Sequence, residues 1–189
     1  MMAYADREVS DAPDEQYDDA IRPPLFLFLT LLISHGLEAL IAGRNPLLTG
    51  TRGLAALVDS DLALLALRLV LFSLFALMMS LFMLRRQGLK LTPSNLRRPF
   101  YGQCFPTAPL ALMVGVATLL PTFHPSHGRT AGAVVMLCAA LWYLGVQTVW
   151  FSTRLRIGRF AGFRQAVAAV MTATILFTAI ALMLGLSAQ

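Results

Sequence analysis

Residues 62–84 read LALLALRLVLFSLFALMMSLFML, a stretch whose only charge is Arg68 and whose only other polar residues are Ser73 and Ser80. A bilayer core of about 30 Å is crossed by roughly 20 apolar residues in a helix rising about 1.5 Å per residue. Residues 62–84 meet that length. A membrane barrel strand would alternate its polarity, and this stretch does not. A helix also satisfies its own backbone hydrogen bonds, which lipid cannot do.

Four more apolar runs flank it. They are Pro24 to Gly43, interrupted by Ser34, His35 and Glu38; Cys104 to Phe123, with Pro106 and Pro109 near its start; Thr130 to Phe151; and Ala166 to Leu186. The expected fold is all-α: a polytopic membrane bundle of about five transmembrane helices over residues 23–189, preceded by a tail over residues 1–22. Composition agrees, with 57% hydrophobic and 13% charged residues. A soluble domain carries about 25% charged residues and could not hide so much apolar surface. The first run leaves open a re-entrant or tilted path, because its polar residues begin straight after Ile33. Residues 45–60 read as a surface-lying segment, and Asp59, Ser60 and Asp61 offer an N-cap to the second helix. Thr92-Pro93-Ser94 reads as the start of a short interfacial helix carrying Leu96, Arg97 and Arg98. Pro106 and Pro109 each remove a backbone donor, so a kink or a late start is expected for the third span.

Charge divides along the chain. Residues 1–23 hold seven acidic side chains and two arginines, while the remainder holds 13 basic and three acidic residues. The acidic tail lacks apolar periodicity and reads as mobile. The basic residues cluster in two short connections: Arg85, Arg86, Lys90, Arg97 and Arg98 in one, and Arg154, Arg156, Arg159 and Arg164 in the other. The opposite connections hold only Arg44, Arg52 and Arg129. Basic loops stay in the cytoplasm, so the N-terminus is expected inside and the C-terminus outside. The same residues suit anionic head groups, and this placement, not nucleic acid, accounts for the net charge of +5. Arginine outnumbers lysine 14 to 1 beside abundant Ala, Leu and Gly, a bias typical of GC-rich bacterial coding. The location implied is a bacterial inner membrane, spanned several times.

Charges at membrane depth need an explanation. Glu38 and Arg68 each stand roughly 8–10 Å below the outer boundary at about 1.5 Å per residue. His35 is one turn deeper than Glu38, on the same face. This trio is either a proton relay or a binding site for a polar head group, or else a structural ion pair that locks two helices or an arginine that snorkels outward. Thr174, Thr178, Ala181 and Gly185 share a face of the fifth helix and read as a packing seam to a helix of this chain or of a partner. His124 and His127 could begin a metal site, but no third ligand is near them, and no metal is expected. Cys104 and Cys138 form neither a disulfide framework nor a zinc site. Trp150 and Phe151 read as an interfacial belt, and Met78, Met79 and Met83 as lipid-facing or core filler. No Gly-rich phosphate loop, HExxH, GxSxG or paired carboxylate set is present, so neither an enzyme nor a cofactor is expected.

Tyr101, Pro106 and Pro109 at the start of the third span, Trp142 in the fourth, and Phe163-Arg164-Gln165-Ala166 before the fifth resemble the Yip family of small membrane proteins. The resemblance covers roughly residues 23–187. It implies five closely spaced helices, a cytosolic N-terminal tail and a short outer C-terminus. The tail lacks the Tyr-Gly-Pro stretch of eukaryotic members, so a small-GTPase partner is not implied. Two functions follow from the residues. The first is a non-enzymatic assembly or accessory subunit of a membrane complex, as a homo-oligomer or with another membrane protein. The second is a small transporter or channel subunit using His35, Glu38 and Arg68.

Overall fold

A computed structural model of the chain describes residues 21–42, 60–124 and 127–187, with side chains up to residue 179. Among these residues every regular element is a helix: α1 (Pro23–Ala42), α2 (Asp61–Arg86), α3 (Pro93–Phe123), α4 (His127–Leu155) and α5 (Arg159–Ser187). All five contain stretches long and apolar enough to cross a membrane. The acidic tail over residues 1–20 and the segment 45–59 lie outside the described residues.

On α1 the polar residues face inward. Leu25, Leu32, Ile33, Leu37, Leu40 and Ile41 of α1 are exposed, while Ser34, His35 and Glu38 are buried. Elsewhere Ser80, Gln103, Thr107 and Gln147 are also buried. In water the exposed leucines and isoleucines would be disfavoured, and the arrangement is the one expected of a helix in a membrane bundle. The first run, with all three polar residues, forms an uninterrupted helix of 20 residues. Its buried positions, Leu27, Leu31, Ser34, His35 and Glu38, fall on one stripe at helical spacing.

The central element is α3, which packs against α1, α2 and α4. Its start is set by Thr92, whose hydroxyl accepts from Asn95 N at 3.3 Å, followed by Pro93 at the first helical position. Here the structure departs from the expected short interfacial helix and late-starting span. The helix that begins at Pro93 runs on to Phe123 through Pro99, Pro106, Pro109 and Pro121. In water an interior proline costs about 3 kcal/mol. In a membrane bundle, neighbouring helices can supply the freed carbonyls with other contacts. One such contact is visible. Pro121 leaves the Ala117 carbonyl without its donor four residues on, and α4 brings Gly132 against that oxygen. A Cβ at Gly132 would stand 2.6 Å from it. Only glycine permits this approach without a shift of the two helices.

Two short turns close the other end. Residues 87–92 join α2 to α3, and residues 156–158 join α4 to α5. Both helices end in the same hydrogen-bond pattern. Leu89 N donates to Leu84 O at 3.1 Å and Gly88 N to Arg85 O at 3.2 Å; Ile157 N donates to Ser152 O at 3.0 Å and Arg156 N to Thr153 O at 3.3 Å. This is the Schellman closure, with Gly88 (φ 68°) and Arg156 (φ 52°) in the left-handed position. At its start, α2 uses Ser60, which accepts from Ala63 N at 3.2 Å, one of the cap residues expected there.

Packing beneath these turns joins α2, α4 and α5 through Met79, Met83, Phe151, Ala166, Ala169 and Ala173. Phe151 is wholly buried and stands edge-on to Phe82, with ring centres 5.8 Å apart. It is a core residue, not part of an interfacial belt; only Trp150 beside it is partly exposed. A second cluster joins α1 to α3 through Leu27, Leu31, Cys104, Ala108 and Ala111.

Candidate functional site

Glu38 on α1 and Arg68 on α2 form an ion pair, Nη1 to Oε1 at 2.6 Å. The glutamate is 2% exposed and the arginine 13%. Both stand near the bundle end where α1 stops and α2 starts. Burial is what makes the pair necessary, since either charge alone at this depth would be strongly disfavoured. Ser34, one turn before Glu38, donates to Oε1 at 3.4 Å. The third element of the site is α3, through Gly115. A Cβ there would collide with the Ser34 hydroxyl and stand 2.6 Å from Glu38 Oε1. Gly115 thus admits the carboxylate to the α1–α3 interface. Sequence reading did not single out this glycine.

His35 is buried on the same stripe of α1, and its Nδ1 has no hydrogen-bond partner. The structure therefore joins Glu38 to Arg68 and leaves His35 adjacent in the chain but outside that ion pair. None of the three lines the cavity at Met83, Arg98 and Arg154 or the groove at Leu69, Leu74 and Phe100.

A second buried polar group was not expected. Gln103 of α3 and Gln147 of α4 are wholly buried and exchange two amide hydrogen bonds. Gln103 Nε2 donates to Gln147 Oε1 at 3.1 Å, and Gln147 Nε2 donates to Gln103 Oε1 at 2.7 Å. Tyr143, one turn before Gln147, directs its hydroxyl to Gln103 Oε1 at 3.5 Å. Thr107, one turn after Gln103, is also wholly buried and its hydroxyl faces that of Tyr143. The available signal was the spacing on α4. Gly128, Gly132, Ala139, Tyr143 and Gln147 recur at helical intervals and are its buried stripe.

The remaining candidates are dispersed. Thr174 and Thr178 are exposed, and Thr178 Oγ1 donates along its own helix to Thr174 O at 2.9 Å. The face that α5 packs inward is a different one, through Gly162, Ala166, Ala169 and Ala173. The side chains at Ala181 and Gly185 lie outside the described residues. His124 and His127 have ring centres 6.0 Å apart, and among the described residues no group of three or more His, Cys, Asp or Glu is placed to hold a metal. Cys104 is buried and Cys138 exposed on the outer face of α4.

No protein-family model, curated protein or solved structure matches this chain.

Proposed function

We propose that this chain is a non-enzymatic integral membrane protein that serves as an assembly or accessory subunit of a membrane complex. The observation that carries the reading is how the polar groups are distributed. Inside the bundle the strongest of them bind each other, Glu38 with Arg68 and Gln103 with Gln147. Outside, α5 presents Thr174 and Thr178 on a face that the other described residues leave exposed. Small and hydroxyl-bearing faces are where membrane helices pack, because they allow close approach and cross-helix hydrogen bonds. The Yip resemblance, an N-terminus inside and a bacterial inner membrane belong to the same proposal.

The test is native gel migration after extraction in mild detergent. The expected result is a complex well above the 20.6 kDa of one chain, shifted to smaller species by Thr174→Trp with Thr178→Trp. Migration as a monomer, or a complex indifferent to both substitutions, would remove this reading.

The alternative is a small transporter or channel subunit. One observation favours it: His35 is buried one turn from Glu38 with an unpartnered ring nitrogen. In that case Glu38→Gln abolishes flux in proteoliposomes, and unchanged flux excludes the trio from transport.

A further inference from the structure

Where α2 ends and α3 begins, a cavity of about 530 Å³ opens between α2, α3 and α4. One wall is apolar, with Met83, Leu84 and Trp150. The other carries Asn95, Arg98 and Arg154, and no Asp or Glu is among the described lining residues. Arg97 lies between this cavity and a second one of about 560 Å³ along α2 and α3, where Leu69, Leu74 and Phe100 form apolar walls. Its guanidinium rests over the Tyr101 ring, 5.4 Å from the centre.

We propose that the first cavity binds the phosphate-bearing head group of an anionic phospholipid. Arg98 and Arg154 hold the phosphate, and the apolar groove beyond Arg97 takes the start of an acyl chain. The inference does not depend on the subunit assignment above.

Charge and shape select phosphate. The planar arginine fork presents paired N–H donors that match phosphate oxygens, while the Asn95 amide donates to Lys90 O at 2.9 Å and holds the turn at the rim. Volume and lining then select a lipid over a bare ion. The cavity falls in the range of roughly 300–1,000 Å³ that small organic ligands occupy, larger than an inorganic anion needs. Its wall of Met83, Leu84 and Trp150 would be wasted on an ion but suits the glycerol and first methylenes of a lipid. Position agrees as well. The cavity sits at helix ends, beside Gln87 and Leu89 of the α2–α3 turn, and basic pockets between membrane helices are seats for such lipids.

The experiment uses the full chain, delipidated in neutral detergent, and reads thermal unfolding with added phosphatidylglycerol, phosphatidylcholine or inorganic phosphate. At saturating concentration phosphatidylglycerol is expected to raise the midpoint by roughly 5–10 °C, and the other two by little. R98Q with R154Q loses at least half of that shift. R85Q with R159Q, which removes two charges from the same bundle end outside the cavity, keeps it. Equal shifts with phosphatidylcholine, an unaltered shift in R98Q/R154Q, or an equal loss in the control variant would each overturn the site. A shift with inorganic phosphate as large as with the lipid overturns the lipid assignment. If R98Q/R154Q does not fold, native mass spectrometry of the unaltered protein decides: phosphatidylglycerol retained about tenfold over phosphatidylcholine supports the site, and equal retention rejects it.

Discussion

The ion pair of Glu38 with Arg68 ties α1 to α2, because a buried charge is strongly disfavoured without an opposite one. Arg68→Met takes the guanidinium away from a buried carboxylate and is expected to cost about 3 kcal/mol. Adding Glu38→Gln to Arg68→Met removes the carboxylate charge and recovers more than half of that loss. Unfolding of the three variants in detergent micelles checks both statements, and additive costs would show that the pair is not coupled. The possibility of this pairing was legible in the sequence, since a charge inside a 20-residue apolar run stands out and two such charges at one depth suggest partners. The Gln103–Gln147 exchange was not legible for the converse reason. Glutamine is neutral, Gln103 lies next to the expected start of its span, and 44 residues separate it from Gln147. Only the packing of α3 on α4 brings the two amides together. Gly115 was hidden for a related reason: the role of a glycine at a crossing lies in what the opposite helix places against it.

Elements were readable in proportion to how local their signals are. The caps at Ser60 and Thr92 are written in three or four consecutive residues, and both helices start where those residues predict. The continuity of α3 is not local. Four prolines argue for interruption, and the helix persists because α1, α2 and α4 surround it. Gly132 shows how that support works, and it yields a prediction of opposite signs on one helix. Gly132→Ala must push α4 away from the Ala117 carbonyl and is expected to lower stability by roughly 1–3 kcal/mol. Gly145→Ala, on the same helix but with nothing within 4 Å of its Cβ position, is expected to raise stability by up to about 1 kcal/mol through helix propensity. Thermal unfolding of the two variants separates these effects. Equal behaviour would mean that the α3–α4 crossing tolerates a wider spacing than its geometry implies.

At the scale of the whole molecule, the fold converts a scattered charge pattern into a polarised one. The turns at 87–92 and 156–158 lie at the same end of the bundle, because Gln87, Arg98 and Arg154 line one cavity there. That end collects Arg85, Arg86, Lys90, Arg97, Arg98, Arg154, Arg156, Arg159 and Arg164. Near an anionic membrane surface each such residue contributes about 1 kcal/mol, so an orientation with this end on the cytoplasmic side is the one the charges favour. The cost of the arrangement is visible at Arg156, a non-glycine residue kept at φ 52° where the equivalent turn uses Gly88. The predicted orientation places both turns in the cytoplasm. Alkaline phosphatase, which is active only outside the cytoplasm, should then be inactive when fused after Leu89 and active when fused after Gln189. Replacing Arg85, Arg86, Lys90, Arg154, Arg156 and Arg159 with glutamine should make the second fusion partly inactive, because the chain would insert both ways. The opposite pattern in the unaltered protein would place the basic cavity on the outer face and require another origin for its charge.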